Sequence, residues 1–177
     1  MPHLGYVARM RAGSAVTGER QASDVDPAIR RARPAEAGVL SKLALRSKAH
    51  WGYDADFLAA CHDDLTLSPD DIATSTVYVF NGASAPAGFC RLVLLDDGVA
   101  ELDALFVEPA AMGQGVGSRL WWHAVSTAAK LGCSELVWQS DPQAEGFYLT
   151  MGAQRAGASE STVIPGRMLP LMRFRLR

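Results

Sequence analysis

Gly113, Gly115 and Gly117 alternate through AMGQGVGSRLWWHAV, residues 111–125, and run straight into an apolar pattern of helical period. Without Cβ atoms there, backbone N–H groups can curl round an anion at the positive end of a helix, where the first amides have no internal partner. A phosphate suits such a turn; a tight strand-to-helix connection without a ligand is the other reading. A P-loop would need Gly-Lys-Ser/Thr, and no Lys is near, while a dinucleotide fingerprint would need glycine where Leu120 stands. Both are excluded. Just upstream, VAELDALFV carries two carboxylates, Glu101 and Asp103. Strand alternation predicts that they share a face with Leu105 and Val107, with Leu102, Ala104 and Phe106 on the other.

The elements that must position these groups follow from periodicity. A short strand precedes Pro34, and Val39, Leu40, Leu43 and Ala44 then recur at helical spacing. Asp54 is placed to cap a second short helix carrying Phe57, Leu58 and Cys61, with Pro69 marking the way out. TVYVFNG and AGFCRLVLLDDG are strands ended by Asn81-Gly82 and Asp97-Gly98, and VAELDALFV follows at once, so three strands form an antiparallel meander. Beyond the glycines, Leu120, Trp121, Ala124, Val125, Ala128 and Leu131 trace an amphipathic helix stopped by Gly132. SELVWQS is a buried strand, PQAEGFYLTMG a short helix, and LPLMRFRLR a strand with Met172, Phe174 and Leu176 buried and Arg173, Arg175 and Arg177 solvated. The predicted order is β, α, α, β, β, β, α, β, α, β, β, an α/β arrangement with helices on the faces of a mixed sheet.

Composition narrows the classes. The 177 residues are 49% hydrophobic and 20% charged, as in an ordinary globular domain. Residues 1–28 show no sustained period and are expected to form a disordered tail, leaving 29–177 as one domain. A net charge of −2 gives no field for nucleic acid. Cys61, Cys90 and Cys133 are odd in number and widely spaced, and His50, His62 and His123 lack ligand-like neighbours, so neither a disulfide framework nor a metal site is expected. With no apolar run of membrane-spanning length, no membrane association is expected and a cytoplasmic location is.

LFVEPAAMGQGVGSRLW followed by DPQAEGFYLTMGA resembles the GNAT superfamily of N-acetyltransferases, over about residues 29–177. The resemblance implies a central mixed, mostly antiparallel sheet flanked by helices on both faces, and acetyl-CoA as co-substrate. It implies that Gly113, Gln114, Gly115, Val116, Gly117 and Ser118 hold the pyrophosphate through backbone amides. Met112 stands where the family usually has Gln or Arg, so side-chain help is missing there. Phe106 and Val107 lie where the family splays two strands and offers an amide to the cofactor and the oxyanion. Asp141 takes a position where Asn often touches pantetheine, with Ala144 in the same cofactor-binding set.

Acetyl transfer to a primary amine of pKa near ~10 needs a base, directly or through water. The resemblance gives that role to Glu101, with Asp103 as understudy, against the alternative that both sit on a solvated face. It gives the role of general acid to Tyr148, in EGFYLTMG; the other reading is an amphipathic anchor for its helix. Arg119 is either a phosphate contact or a solvated Arg. Trp51 and Tyr53 are candidate acceptor contacts, and Arg167, after the Pro165-Gly166 turn, is a candidate cleft residue. The acceptor is expected to be a small-molecule or peptide amine, and the family often dimerises. A non-catalytic acyl-CoA-binding module and a ligand-free structural domain are the alternatives.

Overall fold

The computed structural model describes residues 26–176, so residues 1–25 of the tail expected over 1–28, and Arg177, lie outside the described residues. Twelve elements follow in the order β1 (Ile29–Arg31), α1 (Ala37–Ala49), α2 (Ala55–Ala60), α3 (Pro69–Thr74), β2 (Thr76–Asn81), β3 (Pro86–Leu94), β4 (Val99–Val107), α4 (Val116–Lys130), β5 (Glu135–Gln139), α5 (Glu145–Thr150), β6 (Gln154–Glu160) and β7 (Met168–Arg175). The third helix was not expected. Pro69 opens it instead of ending the second, with Ser68 as N-cap, Pro69 in the first turn and the Asp71 carboxylate accepting from the Ser68 amide.

The seven strands lie in the order β1-β2-β3-β4-β5-β7-β6. Every pairing is antiparallel except β4 with β5. Asp97 (φ 60°) and Gly98 (φ 71°) make the turn that delivers β4 beside β3. One face of the sheet packs Leu40, Leu43, Ala44 and Ile72 of α1 and α3 on Val77, Val79, Phe89 and Ala104. The opposite face packs Leu120, Trp121, Ala124 and Ala128 of α4 on Cys90, Leu92, Leu102, Leu136 and Met172. Leu131, expected on the α4 stripe, is exposed, because the helix has ended at Lys130.

Two backbone features shape the middle of the sheet. Arg91 pairs with Ala104 but Leu92 with Leu102, so β4 bulges at Asp103. The bulge reverses the alternation read from the sequence: Ala100 and Leu102 face α4, Ala104 and Phe106 face α1, and Leu105 and Val107 return to the α4 side. Glu101, opposite Val93 and between two α4-facing residues, therefore shares the α1 side with Ala104 and Phe106, not with Leu105 and Val107. The other feature is a parting of strands. β4 and β5 pair only from Val99–Glu101 to Glu135–Val137, after which β5 stays with β7 and β4 stays with β3 to Val107, leaving its other edge open.

Candidate active site

Into that opening comes the N-terminus of α4. Gly115 caps it with φ 82°, a left-handed conformation that costs a residue with Cβ about 1–2 kcal/mol. No side chain caps the helix, and its first internal bond runs from the Arg119 amide to the Gly115 carbonyl at 3.0 Å, so the amides of Val116, Gly117 and Ser118 precede the ladder. The turn is seated by a glycine not singled out in the sequence. A Cβ on Gly88 would lie 2.9 Å from Leu120 Cδ1, 2.9 Å from the Phe106 carbonyl and 3.1 Å from Val116 Cγ1. Only glycine lets α4 press this close to β3 and β4.

A cavity of about 610 Å³ starts at this turn and continues between the parted strands. Of the residues singled out for the cofactor, Met112, Gly113, Gly115, Gly117 and Ser118 line one end. Phe106, Val107, Asp141 and Ala144 line it further along, and Glu101 and Tyr148 reach the same space. Gln114 and Val116 do not. The Gln114 side chain turns back to the Ala110 carbonyl at 2.7 Å and its amide to Ala111, while the Val116 side chain is buried in the core. Met112 packs against the α4-side core, and among the described residues the turn adds no cationic side chain to the cavity lining.

Arg119 is occupied elsewhere. Both of its hydrogen bonds, at 2.6 Å, go to Asp26, and its guanidinium lies 4.5 Å from the centre of the Phe80 ring. Asp26, assigned with the tail, is thereby held against the domain.

Tyr148 is buried, its ring tilted against Trp138 at 4.8 Å and edge-on to Trp121 at 5.6 Å. Burial pushes its phenol well above the usual tyrosine range, so the proton stays on oxygen. Trp138 also lines the cavity, and its buried indole N–H has no hydrogen-bond partner among the described residues. Asp103 is taken by Arg91, whose Nη1 lies 3.2 Å away and whose other donors reach Asp71 and Ser75 at 3.0 Å. Arg91 was missed in the sequence, although a lone cation inside GFCRLVLL, on the face of Phe89, was the signal.

Asp141 sits at the centre of a polar cluster. It accepts hydrogen bonds from Lys48, from the Tyr53 hydroxyl at 2.8 Å and from the Gln143 amide at 2.9 Å, with Arg167 Nη2 at 3.4 Å. Burial raises its pKa, but these donors outweigh it and hold the carboxyl below the usual range. Tyr53 is pushed up to about 12 by burial and by Asp141, so it remains a donor. Trp51 and Arg167 line the cavity as anticipated, whereas Tyr53 supports the cluster.

Among the described residues no group of His, Cys, Asp and Glu could hold a metal ion, and no helix is long and apolar enough to cross a membrane.

Residues 43–153 match the Acetyltransferase (GNAT) family. Over 150 residues the chain is 35% identical to the peptidyl-lysine N-acetyltransferase YjaB of Escherichia coli strain K12, covering 81% of this chain and 92% of that protein. Its counterpart from Salmonella typhimurium is 39% identical over 87 residues, 49% of this chain and 54% of that one. The fold is shared with PaiA N-acetyltransferase from Thermoplasma acidophilum in complex with coenzyme A, at a TM-score of 0.65 and 18% identity, over 83% of this chain and 97% of that one.

Proposed function

The chain belongs to the acetyltransferase (GNAT) family, and from that premise we propose that it transfers an acetyl group from acetyl-CoA to a primary amine by direct attack in a ternary complex. One observation carries the reading: a single cavity is lined at once by Gly115, Gly117, Glu101 and Tyr148. The amides of Gly117 and Ser118 suit the pyrophosphate, since they point from a helix N-terminus with no internal acceptor. The edge of β4 near Val107 that β5 has left offers a main-chain donor to the thioester oxygen as negative charge develops.

Glu101 takes the proton that the ammonium must lose, directly or through water. The freed nitrogen bonds to the thioester carbonyl carbon, and the C–S bond breaks as Tyr148 gives its proton to the departing sulfur. The second proton shed by the nitrogen returns through water to the Tyr148 phenolate, leaving a neutral amide and the free CoA thiol. The buried Tyr148 phenol is protonated at every working pH, which is the state an acid needs before the step. The test is a pair of variants. Glu101→Gln and Tyr148→Phe lose turnover while retaining acetyl-CoA binding; if both keep wild-type turnover, the two roles are misassigned.

A non-catalytic acyl-CoA-binding module is the second reading, favoured by Met112 in place of a polar side chain and by an Asp141 carboxylate already committed to Lys48 and Tyr53. Thiol release in the presence of amines separates the two. The acceptor, peptide or small molecule, is an amine on either version of the enzymatic reading; YjaB of Escherichia coli is named for peptidyl-lysine.

A further inference from the structure

The wall around Asp141 holds more positive than negative charge. Lys48 and Arg167 converge on this one carboxylate from separate elements, with side chains 14% and 18% exposed. Arg167 spends a single nitrogen, Nη2, on Tyr53 at 2.6 Å and on Asp141 at 3.4 Å. Its flat face covers Tyr53 and Phe57, 4.9 Å and 4.6 Å from the ring centres. The remaining Nε and Nη1 donors have no partner among the described residues. Both cations line the cavity together with Cys61, whose thiol is pushed up by burial while Lys48 and Arg167 pull the other way. Asp64, also on the cavity wall, is exposed at the rim. Nε–H and Nη1–H point in different directions, so the stacked guanidinium keeps two single charge-assisted donors to spare, and Lys48 and Arg167 share Asp141 as counter-charge in little water.

Resting on the acetyltransferase reading, we propose that the acceptor carries its own carboxylate: a free amino acid or close relative, its carboxylate held by Arg167 and Lys48 and its amine presented to the Glu101 side of the cleft. Chemistry divides the cavity accordingly. Asp103 of β4 is spent on Arg91, so Glu101 is the β4 carboxylate set against the amine, and Lys48 and Arg167 supply the cations of the polar cluster. A lysine side chain within a peptide brings an amine without a carboxylate of its own beside it, and would leave those donors unfilled.

The experiment compares free L-amino acids with the corresponding L-amino-acid amides and with a lysine peptide blocked at both ends, each mixed with acetyl-CoA and followed by CoA thiol release. Free acids are expected to exceed their amides in kcat/KM by roughly 30-fold or more, because an amide leaves charged donors unpaired. Arg167→Gln collapses that ratio toward one, and Arg167→Lys restores part of it. In parallel, the same acids, and not the amides, raise the Tm of the wild-type protein saturated with CoA, a readout that survives if a variant folds poorly. An acid-to-amide ratio near one, or a blocked lysine peptide outperforming every free acid, overturns the proposal and leaves the acetyltransferase reading standing. Thiol release that no amine accelerates overturns both.

Discussion

Lys48 at the end of α1 and Asp141 after β5 are 93 residues apart and meet as an ion pair with side chains 14% and 12% exposed. The pair ties the segment carrying Trp51 and Tyr53 to the loop that leads into the Tyr148 helix. Asp141 also accepts from the Gln143 amide, so one carboxylate both closes the acceptor side of the cleft and starts the turn before α5.

Removing that carboxylate leaves two cations in a poorly hydrated wall. Asp141→Ala is expected to destabilise the protein by roughly 3 kcal/mol, the usual range for breaking a buried pair by deleting one partner. Urea denaturation without ligand measures it. Lys48→Met removes one of those cations as well, and the double variant should recover part of the loss.

Stability should fall in acid for a nameable reason. Hydrogen bonds from Arg30 and the Arg33 amide outweigh burial and hold Glu36 at about 2, below its ordinary 4.5. A depressed folded pKa gives stabilisation that is complete above the unfolded value and disappears as pH drops through the folded one. The window is therefore from about pH 4.5 down to about 2, and Asp26, Asp71, Glu108 and Asp141 shift the same way. Glu36→Gln should be less stable at neutral pH and show a shallower acid limb in a Tm-against-pH series.

Two glycines near the turn should respond oppositely. Gly88→Ala drives a Cβ to within 2.9 Å of Leu120 and of the Phe106 carbonyl, and should cost about 1–3 kcal/mol or more. A Cβ at Gly117 meets Phe147 and Val107 at 3.6 Å, an ordinary contact, and its backbone is helical. Gly117→Ala should therefore keep or slightly raise Tm, yet weaken acetyl-CoA binding where the pyrophosphate approaches that amide. Calorimetric titration beside a melting curve reads both.

For the proposed chemistry, Glu101→Gln should lower kcat/KM about 100-fold near neutral pH. The deficit should shrink as pH rises toward the amine's own pKa, near ~10, where solvent does the deprotonation. Tyr148→Phe should lower kcat at all pH values alike, since burial keeps the wild-type phenol protonated throughout.

Much of this arrangement was legible in the residues because it is written at short range. Alternation and turn residues located the meander from Thr76 to Val107, and glycine spacing located the start of α4. The α3 cap is equally local: Pro69 by itself reads as a stop, and Ser68 with Asp71 makes it a start. The bulge at Asp103 was not local: nothing in ELDAL announces an extra residue, and a one-residue slip sends Leu102 and Ala104 to opposite faces. The Lys48–Tyr53–Asp141–Arg167 cluster joins three separated segments, and pairings of that sequence range leave no pattern in a single chain.

The most direct test of the central reading is a steady-state assay that varies acetyl-CoA and an amine together, following thiol release and the acetylated product in equal amounts. The account predicts amine-dependent release with intersecting double-reciprocal lines, as a ternary complex requires, and loss of that release in Tyr148→Phe. Tight acetyl-CoA binding with no amine-dependent release for any member of a broad amine panel would contradict it.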